Sequence, residues 1–261
     1  MFELDNLIIV IASLLASTIS AITSMGGGII VLAVMYSTMS NVLLALTLHS
    51  WFGLSSNISR AIALRKDVQH RKVALFLLGG LPSSIATVFV FNHLIATVSW
   101  FEDGFKMAIG LYILSTLRKK KQTEKDNQST NYWKLGMFAM PVSVSFGANG
   151  ALIGKKIAQD ISCKRQIVAT SSYCQLMGHI FKIVVFYLLY KTNTINSYTV
   201  YDDFSTYLPI IFAMFLFSLV GTYLGRSLLD KVNKSLFDKI FKSSILISSL
   251  MIIFGSVSRM I

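Results

Sequence analysis

Apolar stretches separated by short polar segments follow one another along almost the whole chain. They run over residues 7–25, 29–39, 42–64, 73–93, 105–117, 135–146, 167–190, 207–229 and 241–257. Several of them reach the roughly 20 residues with which a helix crosses a hydrocarbon core of about 30 Å. The pattern predicts an all-α, polytopic integral membrane protein with about eight long helices and two short, broken ones.

One hydrophilic segment of real length, residues 118–134, lies near the middle of the chain. It divides the protein into a first membrane repeat (1–117), a cytoplasmic linker (118–134) and a second membrane repeat (135–261). A shift of 122 residues aligns Gly28 with Gly150 and Arg60 with Lys182. In addition, Phe101-Glu102-x-x-Phe105-Lys106 reappears as Phe237-Asp238-x-x-Phe241-Lys242. Two related halves are therefore expected.

The composition excludes a conventional water-soluble enzyme, because 54% of the residues are hydrophobic and 14% are charged, against about 25% charged in soluble domains. The formal charge of +12 would suggest a nucleic-acid partner in a soluble protein. Here most basic residues form four clusters, at 60–72, 118–134, 155–165 and 226–242. Short cytoplasmic loops accumulate Lys and Arg, so the charge reflects topology and we expect no nucleic acid.

All four clusters face the cytoplasm only if the short stretches at 29–39 and 150–161 each complete a passage. Each half then has five helical elements, and an odd number of crossings inverts the second half relative to the first. The sequence thus predicts two inverted-topology repeats. Lys120 and Lys234 would be cytoplasmic, whereas Asp202 and both termini would be external.

Cys163 and Cys174 lie eleven positions apart in an apolar stretch. This spacing offers neither a disulfide framework nor a metal cluster. We expect both to be packing residues, and we expect no cofactor and no metal.

Small residues occupy equivalent places in both halves, where a long helix gives way to a short one. The segments are Ser24-Met25-Gly26-Gly27-Gly28 and Ser145-Phe146-Gly147-Ala148-Asn149-Gly150. Short helices that begin there would point free N–H groups and a positive dipole end at a cavity, which suits an anion. The alternative is close helix packing. The predicted binding residues here are Gly26, Gly27, Gly28, Asn149 and Gly150.

The helix after each short element is unusually polar for a buried span. The predicted binding residues on these two helices are Thr47, His49, Ser50, Asn57, Thr170, Ser171, Ser172, Gln175, His179 and Lys182. Gln175, His179 and Lys182 share one helical face. The alternatives are hydroxyls bonded to their own helix carbonyls, a packing role for His49, and a Lys182 that snorkels to the interface.

None of the twelve acidic residues lies in the middle of a long span, where a cation carrier or carboxylate proton relay normally needs one. Asp160 is expected to pair with the neighbouring lysines Lys155, Lys156 and Lys164. The inventory favours a small anionic substrate in a lipid bilayer. Either histidine could carry a proton with the anion, because imidazole titrates near pH 6.5.

Several segments resemble the sulfite exporter TauE/SafE family. They are the Ser24–Val31 turn, the Ala45–Ser50 helix, the Asn57-x-x-Arg60 pair, Arg71-Lys72-Val73 before Gly79-Gly80-Leu81-Pro82, and Gln166–Ser171 after Ala148-Asn149-Gly150. The resemblance implies a secondary carrier of sulfite, sulfonates or related organic anions in a bacterial cytoplasmic (inner) membrane. Ala148 and Asn149 depart from the family's glycine-rich run.

Two other classes of function stay open at this point. An intramembrane enzyme would have to use Cys174 and His179, which do not share a helical face, so we expect no enzyme. A non-transporting assembly or scaffold protein has no need for paired broken helices. The residues carry no signal for an oligomeric state.

Overall fold

The computed structural model describes residues 2–24, 27–39, 41–98, 130–146, 149–192 and 199–229 as continuous stretches, with further positions between 100 and 114 and between 231 and 257. These stretches form eight α-helices, and the described residues include no strand. The helices are α1 (Phe2–Thr23), α2 (Gly27–Thr38), α3 (Val42–Ala63), α4 (His70–Thr97), α5 (Tyr132–Phe146), α6 (Gly150–Asp160), α7 (Lys164–Lys191) and α8 (Phe204–Leu229). A 3₁₀ turn, Arg65–Asp67, joins α3 to α4.

The all-helical prediction is confirmed, and the helices begin and end close to the apolar stretches. Four segments of the described chain are long and apolar enough to span a membrane: Leu4–Thr23, His70–Val90, Lys164–Lys191 and Phe204–Leu229. Their outward faces expose large apolar side chains such as Phe89 and Phe212. Lipid can cover such faces without cost, and the chain is a multi-pass membrane protein.

The two short helices α2 and α6 contain 12 and 11 residues. At 1.5 Å per residue each is about 16–18 Å long, so neither crosses a bilayer by itself. Ser24 lies just after α1 with a φ of 60°, a left-handed conformation that commonly ends a helix. Helix α2 packs back along α1, because Gly27 lies against Ala16 and Ser20 and the two helices share one hydrophobic cluster.

The two halves pack crosswise. The first helix of each half packs most extensively against the last described helix of the other, α1 on α8 and α5 on α4, while α3 and α7 meet at the centre. Glycines allow both crosswise contacts: a Cβ at Gly221 would overlap the carbonyl of Leu14, and a Cβ at Gly136 that of Phe76. Such close backbone approach is typical of membrane helices.

This exchange of helices is what two related halves would produce, and the inversion of the repeats stays a prediction. The predicted helices over 105–117 and 241–257 coincide with scattered described positions, several of them helical. Most of the linker lies outside the described residues, and α5 begins at Tyr132, inside the range predicted for the linker.

Two expectations about polar residues are corrected. Asp160 pairs with Lys72 at the start of α4, at 2.5 Å, and accepts a hydrogen bond from the Tyr132 hydroxyl at 2.9 Å. Crosswise packing brings Lys72, on α4, to the end of α6. Cys163 is exposed just before α7, whereas Cys174 is buried as predicted.

Candidate functional site

A small polar cavity lies between the halves, where α3 and α7 face the beginnings of the short helices. Its walls are formed by Gly28, Ile29, Phe52, Gly53, Ser56, Asn57, Arg60, Gly150, Gln175 and His179. The cavity volume is about 10 Å³, which is close to the minimum that holds one water molecule. A larger ligand would enter only if the helices around the cavity moved apart.

Arg60 contributes a buried positive charge from α3, with 2% of the residue exposed. Its guanidinium donates to the carbonyls of Ser56, at 3.3 Å, and Ser20, at 3.1 Å, and to the Asn57 side-chain oxygen at 2.7 Å. These bonds use three of its five N–H groups. All three acceptors are neutral, so the bonds orient the charge without cancelling it.

Asn57 is held in one orientation by two hydrogen bonds. Its Nδ2 donates to the carbonyl of Gly53 at 2.6 Å, and its Oδ1 accepts from Arg60. Because the amide oxygen faces the guanidinium, Asn57 positions Arg60 at the cavity wall.

The opposite wall belongs to α7 and links the two halves. Gln175 donates from Nε2 to the carbonyl of Ser24 at 3.1 Å, at the break between α1 and α2. The position of a Cβ on Gly150 would lie 3.0 Å from Gln175 Oε1, so a side chain there would press on Gln175. His179 packs onto Gly53, where any Cβ would overlap the imidazole ring.

His49 and His179 meet across the α3–α7 contact, with ring centroids 5.6 Å apart in an edge-on arrangement. Nε2 of His49 lies 2.8 Å from the Gly28 carbonyl. Because a carbonyl only accepts, Nε2 must carry a hydrogen there. The Nδ1 atoms of both histidines are buried without a hydrogen-bond partner.

The electrostatic character of this region is one-sided. Arg60 and Lys182 are both buried, and Lys182 Nζ has no hydrogen-bond partner. Within the described ranges no Asp or Glu is buried. Ionisable groups inside a membrane usually pair with one another or line a pathway. An anion would supply the negative charge that neither cation has beside it in the described protein.

The structure divides the predicted site residues that it describes into three groups. Gly28, Asn57, Gly150, Gln175 and His179 line the cavity, and His49 lies beside it. Lys182, Asn149 and Ser171 are buried with polar atoms that lack a partner. Gly26 lies outside the described residues.

The remaining predicted residues make contacts elsewhere in the protein. Gly27 packs on α1, and its N–H donates to Ser20 Oγ at 3.0 Å, so that N–H is not free for a ligand. The hydroxyls of Ser50 and Ser172 bond carbonyls of their own helices. Thr47 and Thr170 accept from the backbone N–H groups of Val200 and Gln69.

Sequence reasoning missed Arg60, Gly53 and Ser56 as cavity residues. Arg60 was assigned to a cytoplasmic basic cluster, whereas it is a buried part of α3. The burial depends on Ser20 of α1, forty positions away, which the local pattern does not reveal. The available signal was the alignment of Arg60 with Lys182 and of Gly53 with Gln175 at the shift of 122.

Comparison with known proteins places these features in a family. The chain is 25% identical over 154 residues, which is 55% of this chain and 80% of the relative, to a Clostridium novyi (strain NT) protein described as "Putative manganese efflux pump MntP". No solved structure matches this chain. The family model for the sulfite exporter TauE/SafE family matches residues 9–252, nearly the whole chain. Members of that family are membrane transporters of small ions, and this chain belongs to the sulfite exporter TauE/SafE family.

Proposed function

We propose that the protein is a secondary transporter that moves a small anion, namely sulfite, a sulfonate or a related organic anion, across the cytoplasmic membrane of a bacterium. The observation that carries the proposal is the buried, hydrogen-bonded but electrically uncompensated Arg60 at a cavity between the two halves. A sulfite or sulfonate group presents three oxygens, which suit N–H and amide donors.

The size of the cavity supports a moving carrier. A space for about one water molecule is too small for a sulfite ion, so binding requires the helices around the cavity to separate. Lys72, on α4, and Asp160, on α6, form an ion pair between the two halves. Alternating opening at the two ends would carry the anion across, as in other transporters made of two repeats.

We assign the basic end of the helices to the cytoplasm, with both termini outside, because of the bias of Lys and Arg toward cytoplasmic loops. This end contains the 3₁₀ turn and the Lys72–Asp160 pair. The inverted repeats belong to the same assignment.

Proton coupling is part of the proposal. His49 and His179 each have an unpartnered Nδ1 beside the cavity. A proton taken up there would offset the charge of the anion during its passage.

The related manganese pump suggests a cation as the second candidate substrate. Among the described residues no group of three or more His, Cys, Asp or Glu comes together as a metal site. The buried charges are also positive, which opposes entry of Mn²⁺. We therefore favour an anion and keep manganese as an arm of the test.

Flux into proteoliposomes tests this function directly. Radiolabelled sulfite, taurine, sulfoacetate, acetate and Mn²⁺ would each be offered to the purified, reconstituted protein. We expect saturable flux of sulfite or a sulfonate and none of Mn²⁺. Saturable Mn²⁺ flux without anion flux would contradict the proposal, and absence of any flux would favour a non-transporting role.

Arg60→Gln and Arg65→Gln form a matched pair for the same assay. Arg65 is exposed on the adjoining 3₁₀ turn, so its replacement should leave flux near the wild-type value. A hydrogen bond to a charged group contributes about 1.5–3 kcal/mol, and each 1.4 kcal/mol is a factor of about ten. Arg60→Gln should therefore lower anion flux at least roughly tenfold.

A further inference from the structure

Lys182 is a second buried cation that does not line the Arg60 cavity. It is fully buried, and its Nζ atom has no hydrogen-bond partner. Its nearest favourable contact is the Phe186 ring, 5.7 Å from Nζ to the ring centroid. A ring face is a weak partner for an ammonium group compared with a carboxylate or an oxyanion. The surroundings of Lys182 therefore lack an acceptor.

Two further buried nitrogen atoms without partners lie in the same part of the protein. They are Nδ1 of His49, on α3, and Nδ1 of His179, on α7. His179 also lines the Arg60 cavity, and His49 contacts the His179 ring from α3.

Helix geometry separates the two cations along the helix axes. Helices α3 and α7 run antiparallel, because Leu64 at the end of α3 packs on Val168 near the start of α7, while His49 meets His179 further along. From the Gly53–His179 contact, Arg60 lies seven residues away on α3 and Lys182 three residues away on α7, in opposite directions. At 1.5 Å per residue the two Cα levels differ by about 15 Å.

The side chains do not close this gap. The Arg60 guanidinium is bonded to Ser56 and Asn57, on the same helix, and to Ser20, on α1. The Lys182 ammonium stays near Phe186, which lies beyond the histidines. Between them lies the His179 ring, which is fixed against Gly53.

We propose that the transport path holds two separate positions for the oxyanion, one at Arg60 and Asn57 and one at Lys182, with the His179 ring between them. The proposal rests on the proposed function. The anion would pass from one cation to the other when the His179 ring moves aside.

Equilibrium binding of ³⁵S-labelled sulfite to the purified full chain distinguishes two positions from one. If both cations held the same ion, each single replacement would remove a charged hydrogen bond and weaken binding about tenfold or more. With two positions, wild type should bind two sulfite ions per chain, Arg60→Gln and Lys182→Gln should each bind one, and the double variant should bind none. Lys191→Gln, an exposed lysine on α7, is the matched control.

Flux through the Lys182→Gln variant provides a second readout. Two positions predict retained binding with maximal flux reduced at least about tenfold, because the path is then interrupted. The proposal would be overturned if either single variant bound sulfite tenfold more weakly. It would also be overturned if replacing one cation removed all binding. If Lys182→Gln bound and transported sulfite as wild type does, Lys182 would be a structural residue only. Wild-type protein that binds no anion would instead refute the proposed function.

Discussion

The two halves of the molecule treat their buried cations in opposite ways. Arg60 in the first half donates three hydrogen bonds to the protein. Lys182, its counterpart at the shift of 122, donates none. Both are buried, and neither has a buried acid near it within the described ranges.

This difference indicates which contacts belong to the fold and which await a ligand. Arg60 ties α3 to the end of α1, so part of its role is to hold the broken helix in place. Lys182 stabilises nothing by hydrogen bonding. A buried, unpaired charge is costly, and its presence is best understood if an anion pairs with it during transport.

The largest effect is expected at Gly53, where an added side chain would push the two halves apart. Gly53→Ala places a Cβ inside the His179 ring, and overpacking of this kind costs roughly 1–3 kcal/mol. Flux should fall roughly ten- to a hundredfold. The double variant Gly53→Ala/His179→Ala removes the overlap and should recover the wild-type melting temperature. If Gly53→Ala alone melted and transported as wild type does, the α3–α7 contact would be wrong.

Replacement of each cation by Met should shift stability in opposite directions. Arg60→Met leaves Asn57 Oδ1 and the Ser20 carbonyl without their donor, at a cost of about 1–3 kcal/mol. Lys182→Met keeps a similar shape beside Phe186 and removes an unpaired charge, so it should stabilise by roughly 1–3 kcal/mol. Melting temperatures in detergent without substrate would measure both. A lower melting temperature for Lys182→Met would mean that the lysine has a partner in the protein.

A smaller effect is expected at Asp160, which joins the halves at the basic end. Its hydrogen bond with Lys72 lowers the pKa of the carboxylate, and the bond from Tyr132 acts in the same direction. A depressed pKa stabilises the folded state above the ordinary value near pH 4 and loses this contribution as the pH falls below it. Asp160→Asn should destabilise by about 0.2–1 kcal/mol at neutral pH.

The pH dependence provides the check on Asp160. The difference in melting temperature between wild type and Asp160→Asn should shrink as the pH is lowered from about 6 to about 3. Asp67→Asn, on the nearby 3₁₀ turn, is the matched control. A difference that grew on acidification would have the wrong sign for this ion pair.

The smallest effect is expected from a test of which end of the helices faces the cytoplasm. Cys163 is exposed at the start of α7, while Cys174 is buried. Because α7 begins at the basic end assigned to the cytoplasm, a membrane-impermeant thiol reagent should label Cys163 only after cells are opened. This labelling should not reduce flux. Labelling of Cys163 in intact cells would reverse the assigned orientation, and Cys163→Ser identifies any background signal.

The sequence predicted the helices well because each is an apolar run bounded by polar or small residues. Stretches such as 42–64 and 207–229 became Val42–Ala63 and Phe204–Leu229. The α7 face containing Gln175 and His179 also followed from helical spacing, and both line the cavity. These features depend on neighbours within a few turns.

What could not be read from the sequence depends on contacts between distant segments. Arg60 looks like a loop charge until Ser20 of α1 is placed beside it. Asp160 finds Lys72 because α4 crosses to the second half. The packing of Gly27 against Ala16 and Ser20 of α1 likewise depends on contacts outside its own segment.

Ligand-dependent melting of the purified wild-type protein tests the central claim, that an anion completes the buried charges, most directly. A ligand at about one hundred times its dissociation constant stabilises by about 2.7 kcal/mol, which corresponds to a rise of roughly 5–10 °C for a chain of this size. We predict this rise with sulfite or a sulfonate, and none in the Arg60→Met/Lys182→Met variant. A melting temperature unchanged by these anions but raised by Mn²⁺ at equal ionic strength would contradict the account.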